Sequence, residues 1–266
     1  MTGIQSLLLG VLQGVAEFLP ISSSGHLVML RQLMDLVEIP LLYDVLLHVS
    51  TLIVVIIVFR KTIARLLSAI WRALKAAALP EDRENLLVLL YILVATVVTG
   101  AIGFALSRFE DIFFHRPRLV SLLFLVTALF LLSTLIRRAP RDYLQIGFVG
   151  AVFVGLAQGV AVLPGISRAG ITISVALLMG LDRRRAGEFS FLIAIPAILG
   201  ALLLQLRQAG TLFEVVEPAA LVVGFAASFV IGLLSLLLLL RVVRSGRLAL
   251  FSIYLIPLGV ISLILL

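Results

Sequence analysis

Long apolar runs separated by short polar connections make up the chain, and the run lengths predict its elements. Six runs, at about 41–59, 86–107, 119–136, 189–206, 219–240 and 248–266, are long enough to cross a bilayer as helices. Their unbroken character argues against a β-barrel, which would alternate with period two. Two other apolar regions differ: residues 3–34 are interrupted by "LPISSSG" and residues 143–181 by "LPGISRAG". Each leaves two half-length helices around a polar break containing Gly or Pro. Non-helical backbone survives at membrane depth only where it is buried in protein or lines a wet cavity. Both regions therefore predict re-entrant helix–loop–helix hairpins. Residues 61–79 set Lys61, Arg65, Arg72 and Lys75 along one helical face, which predicts a helix lying in the membrane interface.

The two breaks align without a gap at an offset of 145 residues, "GVLQGVAEFLPISSSG" at 10–25 against "GLAQGVAVLPGISRAG" at 155–170. Gly10, Gln13, Gly14, Ser22 and Gly25 recur as Gly155, Gln158, Gly159, Ser167 and Gly170. Three spans follow each break. The expected architecture is an all-α polytopic membrane protein of one domain, 1–266, built from repeats at about 1–137 and 143–266. The mismatches carry chemistry: Glu17 aligns with Val162, Ser23 with Arg168, and His26 with Ile171. One half supplies an acid and an imidazole, the other a guanidinium.

Composition agrees with the run lengths, at 62% hydrophobic and 13% charged residues against about a quarter charged in soluble domains. There are no cysteines, hence no disulfide framework and no thiolate metal site. "MTGIQSLLLG" has no positive leader region and belongs to the repeat, so no cleaved signal is expected. The net charge of +7 does not predict nucleic-acid binding, because the basic residues sit in connections between spans. Most lie around 60–83, 137–141, 183–185 and 241–247; Arg31, Arg108, Arg116, Arg118 and Arg207 lie in the opposite set. The richer set is cytoplasmic by the positive-inside rule. This orients the repeats antiparallel, as an inverted-topology repeat whose site lies where the broken helices meet.

Gln13 and Glu17 share a helical face four residues apart. Glu17 suits a base or a metal ligand, and Gln13 adds a carbonyl oxygen. Ser22, Ser23, Ser24 and Gly25 precede a half-helix whose N-terminus binds anions, and Ser167 and Gly170 repeat the arrangement. Arg168 adds a fork suited to phosphate oxygens. Together they predict a phosphate site with a hard divalent cation. The bland alternative is a Glu17–Arg168 ion pair that merely locks the breaks together. A charge at mid-membrane costs roughly 2.5–3.5 kcal/mol, which favours function. His48, inside the first span near Ser50 and Thr51, suits a hydrogen-bonded structural histidine and a site residue equally. His115, in a connection, carries no expected role.

At these residues the chain resembles the undecaprenyl-diphosphatases, the bacitracin-resistance membrane phosphatases. The family's (E/Q)-x-x-x-E motif is Gln13 to Glu17, running into "FLPISSSGH"; its P-G-x-S-R-S-x-x-T motif is "PGISRAGIT", Pro164 to Thr172. "EFSFLIAIP" at 188–196 is similar too, so the likeness covers essentially the whole chain. Ala169 departs from the family's second serine. The resemblance implies hydrolysis of undecaprenyl diphosphate to the monophosphate and phosphate, recycling the carrier of peptidoglycan synthesis. It also implies Mg2+ or Ca2+, a cytoplasmic-membrane enzyme opening to the outer side among membrane lipids, bacitracin competing for the lipid substrate, and a homodimer. The expected roles are Glu17, with Gln13, for metal or base; Ser167, Arg168 and Thr172 for the diphosphate; and Ser23 or His26 for attack or its assistance. A transporter or flippase built on the same repeat is the rival reading.

Overall fold

The computed structural model describes residues 1–36, 39–77, 79–106, 116–136, 138–206 and 209–265. Arg108, His115, Arg137 and Arg207 lie outside the described residues. In chain order the α-helices are α1 Gly3–Phe18, α2 Ser23–Leu33, α3 Leu41–Val58, α4 Arg60–Leu74, α5 Asp82–Leu106 and α6 Pro117–Ser133. The second half continues with α7 Tyr143–Val160, α8 Arg168–Leu178, α9 Arg183–Gln205, α10 Ala209–Val215, α11 Pro218–Ser245, a 3-10 turn Leu248–Phe251 and α12 Ser252–Leu265. The protein is all-α and multi-pass.

Among the described residues six stretches are long and apolar enough to cross a membrane: α3, α5, α7, α9, α11 and Leu248–Leu265. The set differs from the expected six at two places. The run expected at 119–136 forms α6, only 17 residues long. The first arm of the second break, α7, reaches 18 residues. Its length is composite, because Gly147 (φ 60°, ψ −169°) is not helical. Gly147 aligns with Thr2, the N-cap of α1, so residues 148 onward correspond to α1 and Tyr143–Ile146 form an added turn. Asp142 starts that turn with a capping box to Gln145, as Thr2 does with Gln5 for α1.

Several helices outrun their apolar windows, because caps rather than hydropathy end a helix. α9 begins at Arg183 under Asp182, whose carboxylate accepts from the Arg184 and Arg185 amides at 3.0 and 3.3 Å. α11 carries on through Arg241 and Arg244 until Gly246, left-handed at φ 69°, stops it. At 28 residues it is about 42 Å long, so its ends pass beyond a roughly 30 Å hydrocarbon layer. α4 covers most of the stretch expected to form an interfacial helix, ending at Leu74 rather than 79; Leu67, Trp71 and Leu74 remain exposed and Lys75 lies over the Trp71 ring.

Small residues hold the helices together. α1 packs on α11 and α7 on α5. Gly10 lies against the Gly224 backbone, and a Cβ on Gly14 would stand 2.8 Å from the Ser228 carbonyl oxygen. In the other pair a Cβ on Gly155 would meet Ala95 Cα at 2.9 Å, and one on Gly159 would meet Ile102 at 2.7 Å. Lipid provides no hydrophobic drive between helices, so such close backbone approach supplies the packing energy. α3 also packs on α9, and α6 on α12. Leu93, Val97, Val222, Leu234 and Ile253 stay exposed on the outside, a surface that suits lipid tails.

Candidate active site

The two breaks meet tip to tip. α1 ends at Phe18 because Leu19 turns extended (φ −62°, ψ 134°) before Pro20. Ser22 then adopts φ 74°, ψ 91°, a conformation rare outside glycine. Its hydroxyl accepts from the Gly25 amide at 3.3 Å and, across the repeat, from the Gly165 amide at 3.1 Å. Its carbonyl accepts from the His26 amide at 3.2 Å, and His26 Nδ1 lies 2.8 Å from it. Ser22 is thus the N-cap of α2, and Ser167, bonded to the Gly170 amide at 3.1 Å, is the N-cap of α8. Thr127 of α6 donates to the Gly165 carbonyl at 2.9 Å and accepts from the Ser167 amide at 3.0 Å, fixing the second tip. Ser23 and Arg168 are therefore the first residues of their helices, placed equivalently by the repeat.

Glu17, at the end of α1, is buried and receives donors from both halves. Oε1 accepts from Arg168 Nη2. Oε2 accepts from Ser23 Oγ at 2.8 Å and from Gln13 Nε2 at 3.1 Å. His48 Nε2, from α3, stands 3.2 Å from the same oxygen. A buried carboxylate is costly without such partners, and this one is paired and hydrogen-bonded on both oxygens. Asp44, one turn before His48, pairs with the buried Arg31 at 2.5 Å.

These groups form the polar end of a cavity of about 470 Å3. Glu17, Ser23, Ser24, His48 and Arg168 line it, together with small and apolar residues of α5 (Thr99, Gly100, Gly103, Phe104) and α9 (Pro196, Ala197, Gly200, Leu204). At Gly100 and Gly200 an added Cβ would meet nothing within 4 Å, and these positions leave a slot in the cavity wall between α5 and α9.

The structure thus joins Gln13, Glu17, Ser23 and Arg168 in one hydrogen-bonded cluster, with Ser24 on the cavity wall. The other expected site residues are engaged within the protein. Ser22, Gly25, Ser167 and Gly170 serve the two caps. Thr172 Oγ1 donates to the Arg168 carbonyl at 2.6 Å and meets Ser190 Oγ at 2.5 Å, holding the Arg168 turn from behind. His26 does not approach Ser23 Oγ: its Nε2 is 2.8 Å from Tyr254 Oη, and its ring stacks on Tyr254 beside Phe124. His48 is the site residue that sequence reasoning left undecided; its signal was a polar ring inside an apolar span.

The expected cation site can be tested on its donors. Both Glu17 oxygens are occupied by donors, one of them a guanidinium. Gln13 turns its amide nitrogen to Glu17, leaving Oε1 without a partner among the described residues. No group of three or more His, Cys, Asp or Glu side chains suited to a metal occurs among those residues. A hard cation needs about six oxygens, and the Gln13–Glu17 pair as placed does not fit a resident ion.

A comparison with known protein families matches residues 6–261 to the bacitracin resistance protein BacA family. Relatives named undecaprenyl-diphosphatase include one from Treponema denticola, 44% identical over 97% of this chain and 96% of its own length. Others are from Desulfosudis oleivorans, 41% identical over 99% and 98%, and Korarchaeum cryptofilum, 40% identical over 98% of each chain. With the cluster and both motifs in place along its full length, the chain belongs to the bacitracin resistance protein BacA family.

Proposed function

We propose that this protein hydrolyses undecaprenyl diphosphate to undecaprenyl phosphate and inorganic phosphate, with Ser23 as nucleophile. The observation that carries the reading is the Ser23 Oγ bond to Glu17 Oε2 at 2.8 Å, at the mouth of an apolar slot. A nucleophile in hydrogen-bond reach of a base that other groups hold in place is the arrangement covalent catalysis requires. Ser23 also sits at the start of α2, where the helix dipole favours negative charge on its oxygen.

In the first step Ser23 Oγ bonds to the terminal phosphorus while Glu17 takes the hydroxyl proton. The bond from that phosphorus to the bridging oxygen breaks, and undecaprenyl phosphate leaves with the electron pair. In the second step water attacks the phosphoserine. The Oγ–phosphorus bond breaks, Glu17 returns its proton to Oγ, and inorganic phosphate departs with the atoms of water. Arg168 Nη1 has no partner among the described residues and supplies the donor for a phosphate oxygen, while Nη2 holds Glu17. The slot between α5 and α9 takes the first part of the prenyl chain. No step uses a bound cation; a divalent ion would enter with the diphosphate.

The two broken segments are read as re-entrant hairpins of an inverted repeat, supported by the exchange of partners, α1 on α11 and α7 on α5. The site then opens to the outer side of the bacterial cytoplasmic membrane, where released carrier lipid is recycled for peptidoglycan synthesis and bacitracin competes for it. Phosphate release from undecaprenyl diphosphate by protein purified in detergent tests the activity. Wild type should release phosphate and Glu17→Gln should not. Binding without release would instead support a transporter.

A further inference from the structure

Inside α3 the polar side chains next to His48 are satisfied by their own helix. Ser50 Oγ donates to the Leu47 carbonyl and Thr51 Oγ1 to the His48 carbonyl, each at 2.8 Å. Both residues are fully buried, whereas the His48 side chain keeps 25% of its surface open on the cavity. Its ring leaves the helix to reach Glu17, 31 positions earlier in the chain: Nδ1 is anchored 2.7 Å from the Asp44 carbonyl, and Nε2 stands 3.2 Å from Glu17 Oε2.

The mount of this ring is stiff. Asp44 is paired with Arg31 at 2.5 Å, and Arg31 is held in turn by the Leu36 carbonyl at 3.1 Å and the Ile39 carbonyl. One residue before His48, the Leu47 carbonyl also accepts from Ser228 of α11 at 3.3 Å. The stretch of α3 just before the imidazole is therefore tied to α2 through the Asp44 side chain and to α11 through the Leu47 carbonyl, and the Nδ1 contact holds the ring toward the carboxylate.

We propose that His48 is a positioning residue of the phosphatase site, acting through Glu17. Its Nε2 stands against Oε2 beside the Ser23 and Gln13 donors and closes the α3 side of that oxygen, so that the carboxylate keeps its orientation when the Ser23 proton arrives. Arg168 does the same for Oε1 from the other half of the repeat. Glu17 is then held from two sides, by α3 and by α8, and an unheld carboxylate would rotate about its last bond and lose Ser23. This rests on the reading of Glu17 as proton acceptor.

The test uses full-length protein in detergent with undecaprenyl diphosphate as substrate, and compares His48→Ala, His48→Gln and His48→Asn. A glutamine amide reaches about as far as Nε2 and donates an N–H; an asparagine amide is polar but too short. The expected result is a fall in kcat of about tenfold or more for Ala and Asn, the worth of one charge-assisted hydrogen bond. KM should stay within about twofold, and Gln should restore most of the rate. A purely structural role gives no reason for Gln to succeed where Asn fails. If Ala does not yield monodisperse protein, the Gln–Asn comparison decides alone. Failure of Gln to restore turnover overturns the proposal, as does wild-type turnover in all three variants. Glu17→Gln, measured alongside, separates the two readings. If it retains wild-type turnover, the Glu17 assignment itself falls; if it is inactive while the His48 variants are normal, only the role of His48 falls.

Discussion

Replacing Arg168 with lysine keeps the positive charge and removes the planar fork. In the structure Nη2 is committed to Glu17 Oε1, while Nη1 has no partner among the described residues. Arginine can hold Glu17 and a phosphate oxygen at once, from two rigid nitrogens. Lysine offers one nitrogen, and geometry forces it to serve the carboxylate or the phosphate. The variant therefore loses one charge-assisted hydrogen bond, worth about 1.5–3 kcal/mol. At about 1.4 kcal/mol per decade this is roughly a 10–150-fold fall in kcat/KM. Alanine is a poorer probe, since it strands the buried Glu17 charge at a cost of about 3–5 kcal/mol and threatens folding. Initial rates of phosphate release, with size-exclusion profiles to confirm folded protein, measure the effect. Turnover by Arg168→Lys within twofold of wild type would refute the two-nitrogen role and reduce Arg168 to a diffuse charge.

The packing account predicts that Gly10→Ala lowers thermal stability in detergent by about 1–3 kcal/mol, because a Cβ there overlaps the Gly224 carbonyl; Gly3→Ala, with nothing within 4 Å, should be silent. Equal melting of the two variants would contradict it. Gly155→Ala should destabilise to a similar degree, since its Cβ meets Ala95 backbone; no loss in the same melting assay would contradict the matched roles of the repeat. Elemental analysis of dialysed, substrate-free protein should find no stoichiometric Mg2+ or Ca2+; one ion per chain would show that the Gln13–Glu17 pair rearranges to bind it.

The repeat explains why so much of this site could be read from the chain. Matched residues do matched work: Gly10 and Gly155 admit a neighbouring helix, and Ser22 and Ser167 cap the second arms. The unmatched pair, Ser23 and Arg168, stands at equivalent first turns, and with Glu17 it forms the cluster. Apolar run length located the spans but misjudged their ends, because Asp182 and Gly246 set boundaries in polar sequence. It took the α6 run for a full-length span, where the helix has 17 residues, and the α7 run for a half-length arm, where the helix reaches 18 residues across the non-helical Gly147. Neither α10 nor the direction of the His26 ring was readable. Motif spacing put His26 one turn from Ser23, but its ring bonds to Tyr254, more than two hundred residues away in the chain. His48 stayed undecided for the converse reason, as only the packing of α3 brings it to Glu17.

The central claim is attack by Ser23, and a rapid-quench experiment tests it most directly. Substrate labelled at the terminal phosphorus is mixed with enzyme, quenched in acid during the first turnover, and the protein is digested and mapped. Acid-stable phosphoserine at Ser23, absent in Glu17→Gln, is the predicted result. Acid-labile label on residues 22–30 would mean a phosphohistidine at His26, and no trapped label with inversion at phosphorus would mean direct attack by water; either contradicts the account.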